Sequence, residues 1–428
     1  MRILIISTFF PPLNSIASLR PYSWAKRWVE QGHQVTVLTM DSQQDPGVAL
    51  QLPLEGFEII SIAAPSWVQK LKGGYRREEK AETTSSSTRS ITSLIKKNIL
   101  HLFQTLRHTK GVFNACRMPD FTDLWISPAL RAVKEKGEWD LVVSTAGPYA
   151  VHLVAHQLKK RGQAKRWIAD YRDTWSDNYI YPGIFPFNYI ERKLEPYLMR
   201  RADLITTVSV PFAESLASRY GVRKVEPVEN GFDTDDLAVL PLETYFPDDR
   251  KVRIVHTGSI YLGKRDPTPL FQAIAELARD PKNVPLLERL EVLFVGLHHA
   301  NLEKLIAEHC VEKWVKIVGF VSREDALRMQ RDADLLLFLP WNDKSVDGVL
   351  SGKIFEYLFS GTPIIAVGGG GIEASQQLIL DASAGFVLNS VKEIKALVVK
   401  ALNEEVPSCI ANRAFINRYD RKVWPTIY

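Results

Sequence analysis

Cysteine is scarce in this chain of 428 residues: Cys116, Cys310 and Cys409 stand far apart, with no C-x-x-C pair and no Cys/His cluster. That argues against a disulfide framework and a zinc site, and a reducing compartment is the simpler expectation. Long hydrophobic runs are missing too. No stretch approaches the ~20 apolar residues that a bilayer-spanning helix needs, and the apolar run within Met1–Phe10 stops at Pro11-Pro12. It reads as a first buried strand, not as a signal peptide. Neither a G-x-x-x-x-G-K-[ST] loop nor a G-x-G-x-x-G fingerprint after a strand is present. Their absence disfavours a P-loop enzyme and an NAD-dependent one. No D-x-D or carboxylate cluster stands at a phosphate loop, so no metal and no cofactor are expected.

What is present is the composition of a soluble globular protein, 46% apolar and 24% charged, long enough for two or three cores. The net charge of +5 is unevenly spread. Between Ser66 and Val112 stand ten basic residues (among them Lys70, Lys72, Lys96, Lys97 and Arg107) against Glu78, Glu79 and Glu82. Within that insertion Ile91, Ile95, Ile99, Leu102 and Leu106 form one apolar helical stripe. Such a helix at 91–107 could lie on an anionic membrane surface, each basic residue near it contributing ~1 kcal/mol. It could equally be an ordinary domain helix behind a Ser/Thr loop. No motif for nucleic acid accompanies the charge.

Short β-branched or aliphatic runs alternate with amphipathic stretches of helix length, first from Ile3 to Val208 and again from Val252 to Leu402, with Leu-, Pro- and Asp-rich sequence at 236–250 between them. This is the pattern of parallel βαβ units, and it predicts an α/β fold of two doubly wound halves facing a cleft. The expected division is an N-terminal domain 1–235 carrying the basic insertion 66–120, a linker 236–250, a C-terminal domain 251–408, and a last helix within 409–428 crossing back to the first domain. Ligands of such sheets bind outside the carboxyl ends of the strands, and most of the unusual residues fall in loops there.

In the second half, Lys353 and Glu356 sit one turn apart at the start of a helix expected over Lys353–Phe359, behind a small-residue turn that includes Ser351. The helix dipole and free backbone N–H groups favour an anion at that end; a surface Lys–Glu pair is the plainer alternative. Gly361-Thr362-Pro363 should stop the helix and launch a buried strand. Gly258, Lys264 and Arg265 follow another strand, and together with Lys353 the two cations would clamp a diphosphate; a solvated pair is the alternative. Gly319 and Val321 suit reading a nucleobase through the main chain, or form a simple turn. Gly370, in the run Gly368–Gly371, permits positive φ and close backbone approach.

In the first half, Asp170-Tyr171-Arg172-Asp173-Thr174-Trp175 concentrates two carboxylates, a guanidinium and two aromatics. That mixture suits sugar hydroxyls and ring faces; Asp170 capping a turn and pairing with Arg172 is the structural alternative. His152 opens the helix after Ser144–Pro148, and Arg20 follows the Pro-Pro loop. Asp173, His152 and Arg172 are the candidate catalytic residues, with Arg20, Asp170 and Trp175 on the acceptor side.

In order and spacing these motifs resemble those of retaining, nucleotide-sugar-dependent glycosyltransferases of family 4. They are Pro11-Pro12, G-H-x-V-T-V-L-T at Gly32–Thr39, N-G-F-D at Asn230–Asp233, H-T-G at His256–Gly258, K-I-F-E-Y-L-x-S-G-T-P at Lys353–Pro363, and the D-Y-R-D-x-W loop of one subset. The resemblance implies the GT-B fold of two Rossmann-like domains, a nucleoside-diphosphate sugar donor, and a saccharide or lipid-linked saccharide acceptor. It implies ribose binding by Glu356, diphosphate binding by Lys264 or Arg265, and backbone contact from Gly368–Gly371. Where relatives carry the carboxylate pair E-x7-E, the first position here is Gly348. A GT-B nucleotide-sugar epimerase and a catalytically silent GT-B assembly subunit are the other readings. The expected location is cytoplasmic, or peripheral on the inner face of the plasma membrane if the basic helix docks there.

Overall fold

Runs of Val, Ile and Leu between turn residues form thirteen strands in the computed structural model, which describes all residues except 42–48, 64, 66–101, 222–224, 261–262, 297–299, 343–347, 349, 370–372, 406–408 and 424–428. They are β1 (Arg2–Ile6), β2 (Gln34–Met40), β3 (Glu58–Ile62), β4 (Trp139–Ala146), β5 (Ala164–Tyr171), β6 (Leu204–Thr207), β7 (Val225–Pro227), β8 (Val252–Thr257), β9 (Leu290–Val295), β10 (Val315–Gly319), β11 (Leu335–Phe338), β12 (Ile364–Val367) and β13 (Gly385–Leu388). The chain divides into two compact units, one of Met1–Gln44 with Gln51–Val228 and one made essentially of Glu229–Tyr428. The first holds a sheet ordered β3-β2-β1-β4-β5-β6-β7, the second a sheet ordered β10-β9-β8-β11-β12-β13.

Every pairing in these ladders is parallel, including β1 with β4 and β8 with β11. Both orders therefore reverse at one place, between β1 and β4 in the first unit and between β8 and β11 in the second. Side chains of the second sheet alternate between two cores. Ile254, Val292, Phe294, Leu335, Leu337 and Ile365 point into one, while Val255, Leu293, Leu336, Phe338, Ile364 and Ala366 point into the other. Burial on both faces is what makes these strands continuous apolar runs. Each fully buried aliphatic side chain contributes ~1.5–3 kcal/mol.

Close packing is tightest where β12 and β13 meet. Gly385 pairs with Ile364, and a Cβ added at Gly385 would lie 1.9 Å from the Ile364 carbonyl oxygen. Gly385→Ala is expected to lower stability by about 2 kcal/mol or more through backbone overpacking. Urea titration checks this; an unchanged midpoint would mean the edge pairing is not held as described.

Three regions bear on the earlier expectations. Most of the 91–107 helix lies outside the described residues; from Leu102 the chain is helical and ends in a π-type turn, Leu106–Lys110, with Leu102 exposed. The 236–250 segment is folded against the second unit. The Tyr245 amide donates to Asp332 at 2.7 Å, and Arg331 donates to the Pro241 carbonyl at 2.6 Å. Of the segment 409–428, the described part is a four-residue helix, Arg413–Ile416, and two 3-10 turns. Ile416 and Tyr419 pack in the same core as Phe355, and Phe232 exchanges backbone bonds with Tyr419 and Arg421.

Candidate functional site

The reversal between β8 and β11 is where a ligand of the second sheet would sit, and glycine lines it. Gly258 turns the chain out of β8 with φ of 97°, and Gly296 turns it out of β9 with φ of 126°. A Cβ at Gly296 would meet the Gly258 backbone at 3.0 Å, and one at Gly258 would meet Lys353 Cε at 3.0 Å. The Gly258 amide donates to the Val295 carbonyl at 2.6 Å, and the Gly296 amide to the Gly319 carbonyl at 2.7 Å. The carboxyl ends of β8, β9 and β10 thus form a bare main-chain rim, and Gly319, at φ of 85°, has open space where a side chain would be.

Above this rim stands the helix Gly352–Ser360, ended by Gly361 in the left-handed conformation as its sequence predicts. Ser351 precedes its first turn with extended backbone, and its hydroxyl makes no capping bond. Lys353 Nζ lies 3.0 Å from His256 Nε2, and His256 Nδ1 lies 2.9 Å from the Leu337 carbonyl oxygen on β11. Burial, followed by the charges of Lys353 and Arg265, holds the His256 pKa well below its ordinary value, so the ring is neutral. A carbonyl only accepts; Nδ1 therefore carries the proton and Nε2 accepts from Lys353. Burial, then the Arg265 charge, drives the Lys353 pKa well below the usual lysine range against the pull of Glu356. Among the described residues no carboxylate forms an ion pair with Lys353. Its cost in this position is that of burying a cation, and of placing it beside Arg265, a cost that a bound anion would relieve.

Arg265 is buried, with its guanidinium carbon 5.9 Å from the centre of the Trp341 ring. The Asn342 amide donates to the Lys264 carbonyl at 2.6 Å, which ties this loop to the segment after β11. Arg265 is thus the cation whose charge bears on both Lys353 and His256. Lys264 is fixed here through its backbone. One turn beyond Lys353, Glu356 accepts from Arg323 at 2.6 Å and from Gln330 at 3.4 Å; Arg323 also donates to Asp236 at 2.7 Å. Gln330 in turn donates to the Thr257 hydroxyl at 2.9 Å. Val321 is half-buried against the core. Gly368 and Gly369 do take positive φ, and Gln376 pins the Gly368 carbonyl at 3.0 Å; Gly370 lies outside the described residues.

The first unit treats its candidates differently. Asp170, on β5, is fully buried and accepts from Arg20 at 2.7 and 3.1 Å, from Thr145 at 2.8 Å and from Thr206 at 2.8 Å. Arg20 is equally sunk, so the expected contact of Arg20 and Asp170 with an acceptor gives way to an internal ion pair. Trp175 also turns inward: it stacks on Tyr149 with centroids 4.8 Å apart and donates to Glu191 at 3.1 Å. His152 is buried on all sides beside Trp167 and Tyr171, with Nδ1 2.8 Å from the Ser144 hydroxyl. Burial depresses its pKa to about 3. The catalytic role expected of this helix-start histidine meets its position among the buried residues of the helix Ala150–Lys160. Arg172 donates to the carbonyls of Ala17, Ala146 and Gly147 at 2.9 Å each, and so ties the first turn of the helix Ile16–Glu30 to the end of β4. Asp173 alone of the D-Y-R-D residues is exposed, accepting from the Tyr179 hydroxyl at 2.9 Å.

Comparison with known proteins places this architecture. Residues 95–236, about a third of the chain and including the D-Y-R-D-T-W loop, match the model of Glycosyltransferase Family 4. The 2-deoxystreptamine glucosyltransferase of Streptomyces kanamyceticus is 27% identical over 188 residues, 42% of this chain and 46% of that protein. The chain thus matches about half the length of that curated relative. Sucrose-phosphate synthase from Thermosynechococcus elongatus superposes with a TM-score of 0.54 at 15% identity, over 97% of this chain and 96% of that one. An α,α-trehalose-phosphate synthase from Burkholderia xenovorans gives 0.60 at 11% identity, over 99% and 98%. The fold is GT-B.

Sequence reasoning missed several residues of this GT-B chain that the site depends on. His256 stood in the H-T-G motif, but nothing in the string ties it to Lys353, which comes 97 residues later. Arg323 and Gln330 lie on a helix with no motif of its own. A basic residue right after the β10 turn was the one available signal for Arg323. In this GT-B sheet all three converge because β8 lies between β9 and β11, and the helices before and after β11, Arg323–Asp332 and Gly352–Ser360, pack together beside it.

Proposed function

We propose that this chain is a retaining glycosyltransferase that moves a sugar from a nucleoside-diphosphate sugar to a hydroxyl acceptor, in the synthesis of cell-surface polysaccharide or glycolipid. The family match over 95–236 and the glucosyltransferase relative support glycosyl transfer. One observation carries the donor class. Lys353 and Arg265 sit together without a carboxylate on Lys353, at the sheet reversal and at a helix N-terminus, with an acid one turn away. In this reading Arg265, Lys353 and Lys264 neutralise the diphosphate, Glu356 accepts from the ribose hydroxyls, and Gly258, Gly319, Val321, Ser351 and Gly370 let the main chain approach the donor. The anomeric C–O bond to the diphosphate breaks, the acceptor oxygen bonds to the same face, and its proton leaves with the phosphate oxygen. Preorganised cations at the leaving group supply the main rate effect. No residue is asked to hold a metal in this reading.

The first domain is the acceptor side in this proposal, with Asp173 as the carboxylate open to a hydroxyl and Arg172 shaping the loops around it. The saccharide acceptor is lipid-linked if the basic 91–107 segment meets an anionic membrane; no helix among the described residues is long and apolar enough to cross one. A second reading, nucleotide binding without transfer, is favoured by Gly348, whose φ of 91° is a turn conformation that a glutamate would adopt only with strain. A thermal-shift screen against UDP-, GDP-, ADP- and dTDP-sugars is expected to give one stabilising nucleotide. Stabilisation of several degrees follows if the ligand is present at ~100 times its Kd. No shift with any of them would sink the donor assignment, and a shift without sugar release to any hydroxyl would favour the second reading.

A further inference from the structure

Among the described residues Lys353 has two neighbours that could orient its amine, and one of them is already taken. Glu356, on the same helix, already accepts from Arg323 and Gln330. His256 offers the other, a lone pair on Nε2 at 3.0 Å. That lone pair is fixed in direction, because Nδ1–H is tied to the Leu337 carbonyl on the neighbouring strand at 2.9 Å. Gly258 completes the arrangement: a Cβ there would fall 3.1 Å from Nζ, so only a bare backbone leaves the amine room.

We propose that His256 is a positioning residue for the donor diphosphate: held as the Nδ1–H tautomer by Leu337, it accepts a hydrogen bond from Lys353 and aims the amine at the anion site, away from Glu356. The proposal rests on the diphosphate reading above. The amine keeps its remaining donors for phosphate oxygens while His256 holds one, and a neutral ring does this without adding charge.

A second consequence concerns protons. Among the described residues the titratable groups facing Lys353 are His256 from β8, Arg265 from the following loop and Glu356 from its own helix. Burial, and then the neighbouring Arg265 charge, keep the Lys353 proton weakly held until an anion arrives. Binding a diphosphate raises that hold, so binding takes up a proton, and affinity falls as pH rises between the free and bound values.

Calorimetry of the full chain with inorganic pyrophosphate and with the nucleoside diphosphate found in the screen tests this. His256→Asn keeps a donor for Leu337 but puts no acceptor at the place of Nε2, and is expected to lose about tenfold in affinity; His256→Gln, which restores an acceptor there, is expected to recover most of it. Lys353→Met should lose at least as much, abolish proton uptake measured across buffers of different ionisation enthalpy, and make the added His256→Asn change nearly silent. Folding of each variant is checked by its unfolding midpoint. If His256→Asn binds like the wild type, or if the two losses simply add, the positioning role is overturned while the diphosphate site stands. If the wild type binds neither pyrophosphate nor any nucleoside diphosphate, both fall together.

Discussion

Replacing Glu356 by alanine is expected to weaken binding of the nucleoside-diphosphate sugar by about 100-fold or more. A carboxylate offers about four acceptor positions, and Arg323 and Gln330 use one each, which leaves room for two ribose hydroxyls. Hydrogen bonds to a charged group contribute ~1.5–3 kcal/mol apiece, so losing two amounts to a factor of about 100 or greater. Glu356→Gln separates the causes. It keeps the volume and one acceptor, and Arg323 retains Asp236 as its ionic partner, so an intermediate loss is expected. Calorimetric titration with the donor identified by thermal shift measures both. Unchanged affinity in the alanine variant would remove the acid from the nucleotide site and leave it as a partner of Arg323.

The second large effect belongs to the first unit. Asp170→Ala should cost about 3–5 kcal/mol of stability, because it strands the Arg20 guanidinium, which is as deeply buried as its partner. Burial alone would raise the Asp170 pKa, but the Arg20 charge and the bonds from Arg20, Thr145 and Thr206 outweigh it and hold the carboxyl below its ordinary value. A carboxylate depressed in the folded state stabilises fully above its unfolded pKa, roughly 4, and loses that contribution as pH falls through the folded value. The difference between wild type and Asp170→Ala should therefore stay constant from about pH 5 to 8 and shrink below about 4. Urea titrations at several pH values would show it. A loss under ~1 kcal/mol near neutrality would mean that Arg20 finds water or another partner.

How far the string of letters foretold this molecule depends on where each element sits in its sheet. Central strands such as β1, β8, β9 and β12 are buried on both faces, and their unbroken Val, Ile and Leu were readable directly. Glu58–Ile62, Val225–Pro227 and Gly385–Leu388 were not anticipated, and each lies at an outer edge of its sheet. Edge strands are short and half-wet: Glu58–Ile62 shows no fully buried residue, and Val225–Pro227 has three residues in all.

The site divides in the same way. Lys353, Glu356 and Arg265 were legible because charged residues at strand ends and helix starts are conspicuous, and the second unit does bring Arg265 and Glu356 to bear on Lys353. The D-Y-R-D-T-W loop misled for a physical reason. Two acids and a guanidinium in four residues look solvated, and it takes Arg20, 150 positions upstream, with Thr145 and Thr206 on other strands, to make the burial of Asp170 tolerable. Nothing local announces these partners. His152 misled likewise: its place as the third residue of its helix was plain, but whether that face was wet depended on Trp167 and Tyr171, which belong to another strand.

A side chain at Gly296 would run into the main chain of Gly258, and one at Gly258 into Lys353, so neither position can acquire one without displacing a neighbour. Whatever rests on the ends of β8 and β9 therefore lies on peptide planes whose shape single substitutions cannot retune. Substitutions that change what this place accepts are therefore expected in the walls around that floor, not in the floor itself.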